Sequence, residues 1–94
     1  MKGYWVARCH VTNLEEYSKY IELAGPIIES FGGKFLVRGG IQIEVEGGNF
    51  ERTVLVEFEN MEVAKKCYES DEYQGARKHT IGSSIRHIVL AEGI

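Results

Sequence analysis

Four segments of this chain carry apolar side chains at both odd and even positions: Tyr4–Cys9 (YWVARC), Lys34–Arg38 (KFLVR), Arg52–Glu59 (RTVLVEFE) and Ile85–Ala91 (IRHIVLA). Aromatic and β-branched residues dominate them, which predicts strands. In the first, one alternate set is Tyr4, Val6 and Arg8 and the other is Trp5, Ala7 and Cys9. The third divides into Val54, Val56, Phe58 and Thr53, Leu55, Glu57; the last divides into Ile85, His87, Val89 and Arg86, Ile88, Leu90. A sheet with one wet face would alternate cleanly between apolar and polar residues, and these strands do not. Four of them cover roughly 20 by 19 Å, about 380 Å² on each face, and monomers rarely leave an apolar patch of that order open. The expectation is that helices cover one face and the sheet of a second copy covers the other, giving a homodimer.

The intervening segments supply the helices. Asn13 followed by Glu16 matches a capping box, in which the Asn side chain accepts an orphan amide hydrogen of the first turn and Glu16 reaches back. Leu14, Tyr17, Ile21, Ala24, Ile28 and Phe31 then recur every three or four residues, the stripe of a helix running to about Ser30. Pro26 falls inside that stripe and predicts either a kink or a second segment with proline at its first position. Gly32-Gly33 ends the helix. After Lys34–Arg38, Gly39-Gly40 leads into strict alternation of Ile41, Ile43 and Val45 against Gln42, Glu44 and Glu46. That predicts one long strand with a bulge or bend at the glycines. Through a turn at Gly47-Gly48-Asn49 it becomes a hairpin over residues 34–59. Asn60 caps a short helix, and Ser70-Asp71-Glu72 starts another that ends near Gly82. The resulting βαββαβ order is the ferredoxin-like arrangement, an α+β fold with a four-stranded antiparallel sheet and its helices on one face. Right-handed crossovers put both helices on the same side. One such domain is expected over residues 1–94.

Composition narrows the partners. With 44% hydrophobic and 27% charged residues the chain is of ordinary globular make-up, which excludes a disordered tail or a disulfide scaffold. Eleven Lys+Arg against fourteen Asp+Glu give a net charge of −3, without the basic stripe that nucleic-acid binding requires. Arg77-Lys78-His79 is the densest basic cluster and reads as a solvated helix end behind Asp71 and Glu72. No apolar run approaches the ~20 residues that span a bilayer, and no signal peptide precedes Arg8. A cytoplasmic protein without nucleic-acid or membrane partners is the expectation. Cys9 and Cys67 lack any metal-ligand spacing and read as reduced, buried thiols. No HExxH, GxSxG, P-loop or GxGxxG motif occurs, so neither a metal nor a cofactor is expected.

A set of short motifs carries a resemblance. Tyr4-Trp5 with Arg8, Phe31-Gly32-Gly33, Phe35-Leu36, Arg38-Gly39-Gly40 and the Glu46-Gly47 turn belong to it. So do Glu57-Phe58, Tyr68-x-Ser70-x-x-Tyr73 with Ala76-Arg77, and Ile88-Val89 ahead of Glu92-Gly93. In these the chain resembles, over nearly its whole length, the domain-of-unknown-function-1330 family, small bacterial proteins of the dimeric α/β-barrel superfamily. The resemblance implies two sheets packed face to face into a barrel, helices outside, and a small-molecule pocket in each subunit between sheet and helices. Several relatives in that superfamily are cofactor-free monooxygenases, isomerases or decarboxylases, and others bind haem. An enzyme is thus implied by fold-level analogy. Phe50 stands where the family usually has Trp, and Glu51-Arg52 where it usually has Pro.

The chemistry available inside the strands is Arg8, Arg38, Arg52, Arg86, Glu57 and His87. A charge in a buried sheet must be paired or it is costly to desolvate. One reading is an Arg–Glu57 bridge across the sheet or the dimer seam. The other is that one or two arginines hold the carboxylate or enolate of a small ligand through their planar fork of donors. Arg8 and Arg38 are favoured, since both lie in the matched motifs and Arg38 precedes a glycine pair that lets a ligand approach the backbone. His87 reads either as a satisfied interior histidine or as a general base or haem ligand, and Tyr17 as a core ring whose hydroxyl lines a pocket mouth beside Arg8. The candidate ligand-binding set is Arg8, Tyr17, Arg38, Glu57 and His87. The function expected is a small-molecule pocket, with cofactor-independent monooxygenase- or isomerase-like chemistry on a small organic acid or aromatic. The alternative is a non-catalytic ligand-binding or interaction module of the same fold.

Overall fold

The computed structural model describes Met1–Ile94. Its elements are β1 (Gly3–Val11), α1 (Leu14–Ser30), β2 (Lys34–Arg38), β3 (Arg52–Phe58), α2 (Met61–Glu69), α3 (Asp71–Arg77), a 3-10 turn (Lys78–Thr80) and β4 (Ser84–Glu92). The four strands form one fully antiparallel sheet in the order β2-β3-β1-β4. The helices lie on one face, so the molecule is a slab of 32 × 31 × 17 Å. This is the ferredoxin-like βαββαβ fold that the strand and helix pattern predicts.

Local chemistry explains the element ends. Asn13 caps α1 by accepting the Glu16 amide at 3.1 Å. The second half of the expected capping box is absent: the Asn13 amide donates to the Ser83 carbonyl instead, and the Glu16 carboxylate binds Lys19 and His79. Pro26 sits within an unbroken α1. The predicted stripe is rotated slightly, with Leu14 at 66% exposure while Tyr20 and Gly25 are buried. Asn60 and Ser70 cap α2 and α3 through the Val63 and Tyr73 amides.

Register decides which side chains meet. Trp5 lies opposite Val56 on one side and Leu90 on the other, and Cys9 opposite Arg52 and Arg86. The helix-facing set is therefore Trp5, Ala7 and Cys9 with Arg52, Val54, Val56, Phe58, Arg86, Ile88 and Leu90. Under α2 and α3, Trp5 packs against Phe58, Tyr68 and Tyr73 with ring centroids 4.9–5.8 Å apart, and its indole N–H donates to the Ala64 carbonyl at 2.9 Å.

The long second strand is corrected. β2 stops at Arg38, and its register irregularity falls between Phe35 and Val37 rather than at the glycines. β2 and β3 do pair as a hairpin, and the Gly39 amide still donates to the Thr53 carbonyl at 2.9 Å, but residues 40–51 run past the start of β3 and find no ladder partner. Gly39, at φ +69°, turns the chain out of the sheet. This arm is held by Gln42, whose amide donates to the Phe50 carbonyl at 2.7 Å and accepts from the Thr53 hydroxyl at 2.6 Å. Ile41, Ile43 and Val45 stand at 104%, 84% and 85% exposure. Their alternation describes a strand-like segment with no partner in its own chain.

Candidate functional site

Between α1 and the sheet lies a cavity with room for water-sized groups over about 40 Å³. Small residues create it: Ala7 on β1 faces Ala24 and Gly25 on α1, leaving a gap that Tyr17, Tyr20, Ile28, Phe35, Val54 and Ile88 enclose. The walls are apolar. The polar groups are three guanidinium groups, from Arg38, Arg52 and Arg86, with the Tyr17 and Tyr20 rings beside them.

The sheet register places these arginines. Arg52 and Arg86 flank Cys9 in one row, all three on the helix-facing side. Arg38 comes from the end of β2, one row further in beside Val54. Its guanidinium stacks on the Phe35 ring at 3.9 Å and lies against Gly25 of α1, where a Cβ would come within 2.5 Å of Nη2. Arg52 packs against Gly39 in the same manner. At both places a guanidinium occupies the space a side chain would take, and at Gly39 the positive φ favours glycine as well.

None of the three arginines has a carboxylate within 4.0 Å. Arg86 instead donates from Nη2 to the hydroxyls of Tyr20 and Tyr73 at 3.2 and 3.1 Å and lies 4.7 Å over the Tyr20 ring. Burial works against its charge, but the two hydroxyls outweigh that and hold its pKa above the usual arginine value. The Nε atoms of Arg52 and Arg86 are buried without any hydrogen-bond partner. Unpaired donors of this kind are costly and rare in folded chains. Burial pushes the Tyr17 and Tyr20 hydroxyls well up, helped for Tyr17 by its contact with the Cys9 sulfur at 3.6 Å and for Tyr20 by Tyr73. Both are neutral donors at physiological pH. No histidine or carboxylate lines the cavity.

Of the expected site residues, Tyr17 and Arg38 face this cavity. Arg8, Glu57 and His87 lie on the opposite, helix-free face of the sheet, because their alternation phase is opposite to that of Cys9. The expected placing of Tyr17 beside Arg8 is corrected accordingly. Within one chain no Arg–Glu57 bridge forms: Glu57 accepts the Tyr4 hydroxyl at 3.0 Å, and the carboxylate nearest Arg8 is Glu44 at 4.0 Å. Arg8 also donates to the Phe50 carbonyl at 3.2 Å. In the single chain His87 is exposed on the helix-free face and rests its ring on Phe50 at 4.9 Å. Arg52 and Arg86, named among the strand arginines but left out of the candidate set, line the cavity with Tyr20, which the sequence did not single out. Arg86 shares parity with Ile88 and Leu90, a usable signal once the buried parity is known. No cluster of three His, Cys, Asp or Glu is arranged to hold a metal ion.

Fold and cavity together define a ferredoxin-like α+β protein with a small arginine-lined chamber between sheet and helix. The chain belongs to the family described as Domain of unknown function (DUF1330), whose pattern it matches over residues 2–94. Comparison with curated proteins finds no match. Among solved structures, a protein of unknown function from Rhodopseudomonas palustris is similar at 15% identity with a TM-score of 0.80, over 99% of this chain and 82% of that one. A dimeric ferredoxin-like protein of unknown function from Bacteroides fragilis is similar at 18% identity and TM-score 0.62, over 98% and 96%. A cofactor-independent oxygenase from Streptomyces nogalater is similar at 9% identity and TM-score 0.64, over 99% and 93%. At these identities the likeness is one of fold.

Proposed function

We propose that this protein binds a small organic anion in the chamber between α1 and the sheet, as a homodimer joined through its helix-free sheet face. The observation that carries the reading is the convergence of Arg38, Arg52 and Arg86 on one apolar cavity with no carboxylate to neutralise any of them. A cluster of like charges with unpaired buried donors is destabilising by itself, and a ligand carboxylate with an apolar body offsets that cost on binding. Titration calorimetry with short-chain carboxylates tests it, comparing the wild type with Arg52→Met. Micromolar to millimolar affinity that falls at least tenfold in the variant supports the reading, and equal affinity or none sinks it.

The dimer is supported by what the single chain leaves uncovered. Leu36, Val37, Ile85 and Val89 on the sheet, and Ile41, Ile43 and Val45 on the arm, are exposed. A neighbouring fold from Bacteroides fragilis is described as dimeric. A second copy is the occupant whose apolar sheet and unpaired arm match these surfaces by symmetry.

A catalytic reading is favoured by the fold shared with a cofactor-independent oxygenase. Against it, the chamber holds no imidazole or carboxylate base, so proton transfer there falls to Tyr17, Tyr20 or Cys9. Turnover of a bound acid, or oxygen uptake with it, would establish catalysis; binding without either leaves a ligand-binding module.

A further inference from the structure

The Tyr20–Tyr73–Arg86 cluster contains more protons than acceptors. The two hydroxyl oxygens lie 2.8 Å apart and each accepts from Arg86 Nη2. Their mutual hydrogen bond uses one of the two hydroxyl protons. The other has no acceptor, because a guanidinium offers none and neither hydroxyl has a further partner. The buried Arg86 Nε is a second unused donor in the same place. Topology decides where the spare hydroxyl proton goes. Tyr73 is fully buried and does not line the chamber, whereas Tyr20 and Arg86 do. If Tyr20 donated to Tyr73, the Tyr73 proton would be stranded in the core. The satisfied arrangement has Tyr73 donating to Tyr20 and Tyr20 turning its own proton to the chamber.

Resting on the anion-binding reading above, we infer that Tyr20 and Arg86 form an oxyanion subsite, with Tyr73 as a positioning residue, that holds one oxygen of a small monocarboxylate. The site specifies charge as well as shape. An anionic oxygen accepts the Tyr20 proton and pairs its charge with the guanidinium, while an amide carbonyl oxygen accepts the same proton with no charge to set against Arg86 and leaves its N–H₂ without an acceptor in the cluster. Size narrows the class further. A water needs about 10–15 Å³ of such space, so the chamber takes the carboxylate and one or two further carbon atoms without rearrangement. Longer acids must displace lining side chains, of which Arg38 is an exposed one.

The probes are propionate and its uncharged isostere propionamide, titrated into the intact protein and followed by calorimetry and by proton NMR of slowly exchanging tyrosine hydroxyls. Propionate is expected to bind and shift one hydroxyl resonance downfield, while propionamide binds at least about tenfold more weakly and shifts it less. Tyr20→Phe retains the ring and is expected to weaken propionate about tenfold or more, the loss of a hydrogen bond to a charged group, and to abolish that shift. Tyr73→Phe removes the positioning partner; it is expected to weaken propionate by a smaller factor and to keep a shifted Tyr20 resonance. Equal binding of propionate by the wild type and Tyr20→Phe, or equal binding of propionate and propionamide, overturns the subsite and leaves the arginine-lined chamber standing. Absence of any propionate binding to the wild type overturns both. The wild-type hydroxyl spectrum decides the matter even if a variant does not fold.

Discussion

Replacing Gly25 by alanine sets two calculable effects against each other. Gly25 lies in the last third of α1, and its backbone needs no glycine-only conformation, since only Gly32, Gly39, Gly47 and Gly82 adopt positive φ among the glycines. Alanine in a helix interior is favoured over glycine by about 0.8–1.0 kcal/mol. The new methyl would meet Arg38 Nη2 at 2.5 Å and nothing else at short range. Ordinary contacts begin near 3.5 Å, so the guanidinium must withdraw by ~1 Å. It then loses its seat on Phe35, an exposed cation–π contact that contributes about 0.5–1 kcal/mol. Arg38 is exposed and flexible, and it can leave without opening the core. The sum is a net change between about zero and half a kcal/mol in favour of folding, by the same two principles. Urea denaturation at fixed protein concentration measures it, and propionate titration measures the consequence at the chamber. Gly25→Ala is expected to be as stable as the wild type while binding propionate severalfold more weakly. A loss of more than about 1 kcal/mol, which neither contribution supplies, or unchanged affinity, refutes the account of Gly25 as the seat of Arg38.

Other expectations follow from the same structure. Ile43→Asp places a charge on the fully exposed arm, and sedimentation velocity at micromolar protein should report a monomer where the wild type gives a dimer; a wild-type monomer defeats the interface argument. Glu16 carries the His79 hydrogen bond first and Lys19 second, which holds its carboxyl below the usual value of 4.5. A depressed carboxylate stabilises the fold above its unfolded pKa and loses that contribution as pH falls through the folded one. The gap in Tm between wild type and Glu16→Gln should therefore be full near neutrality and close as pH drops below about 4.5; a gap that widens in acid contradicts the assignment. Burial pushes the Cys67 thiol up to about 12, so at pH 8 roughly one molecule in ten thousand is thiolate. A disulfide reagent should modify Cys67 only as fast as the protein unfolds, and rapid labelling of native protein would contradict its burial.

Order and polarity of the elements were legible in the residues because they rest on short-range physics. Asn13, Asn60 and Ser70 announce helix starts through caps a few residues long, and the aromatic and β-branched runs announce the strands of a sheet. Register was not legible. One step of strand parity moves every side chain to the other face, and that parity alone separates Arg52 and Arg86, which reach the chamber with Cys9, from Arg8, Glu57 and His87, which do not. Each group is an equally good candidate until Cys9 is known to face α1. The Ile41–Val45 alternation failed as a ladder for a similar reason, since a period-two pattern states that a segment is strand-like but not that a partner lies beside it. Local sequence thus determined the ferredoxin-like order of elements and the starts of its helices. Only the tertiary structure decided which arginines share a cavity, which tyrosine holds a spare proton and where the arm leaves the sheet, because those depend on pairings between residues far apart in the chain.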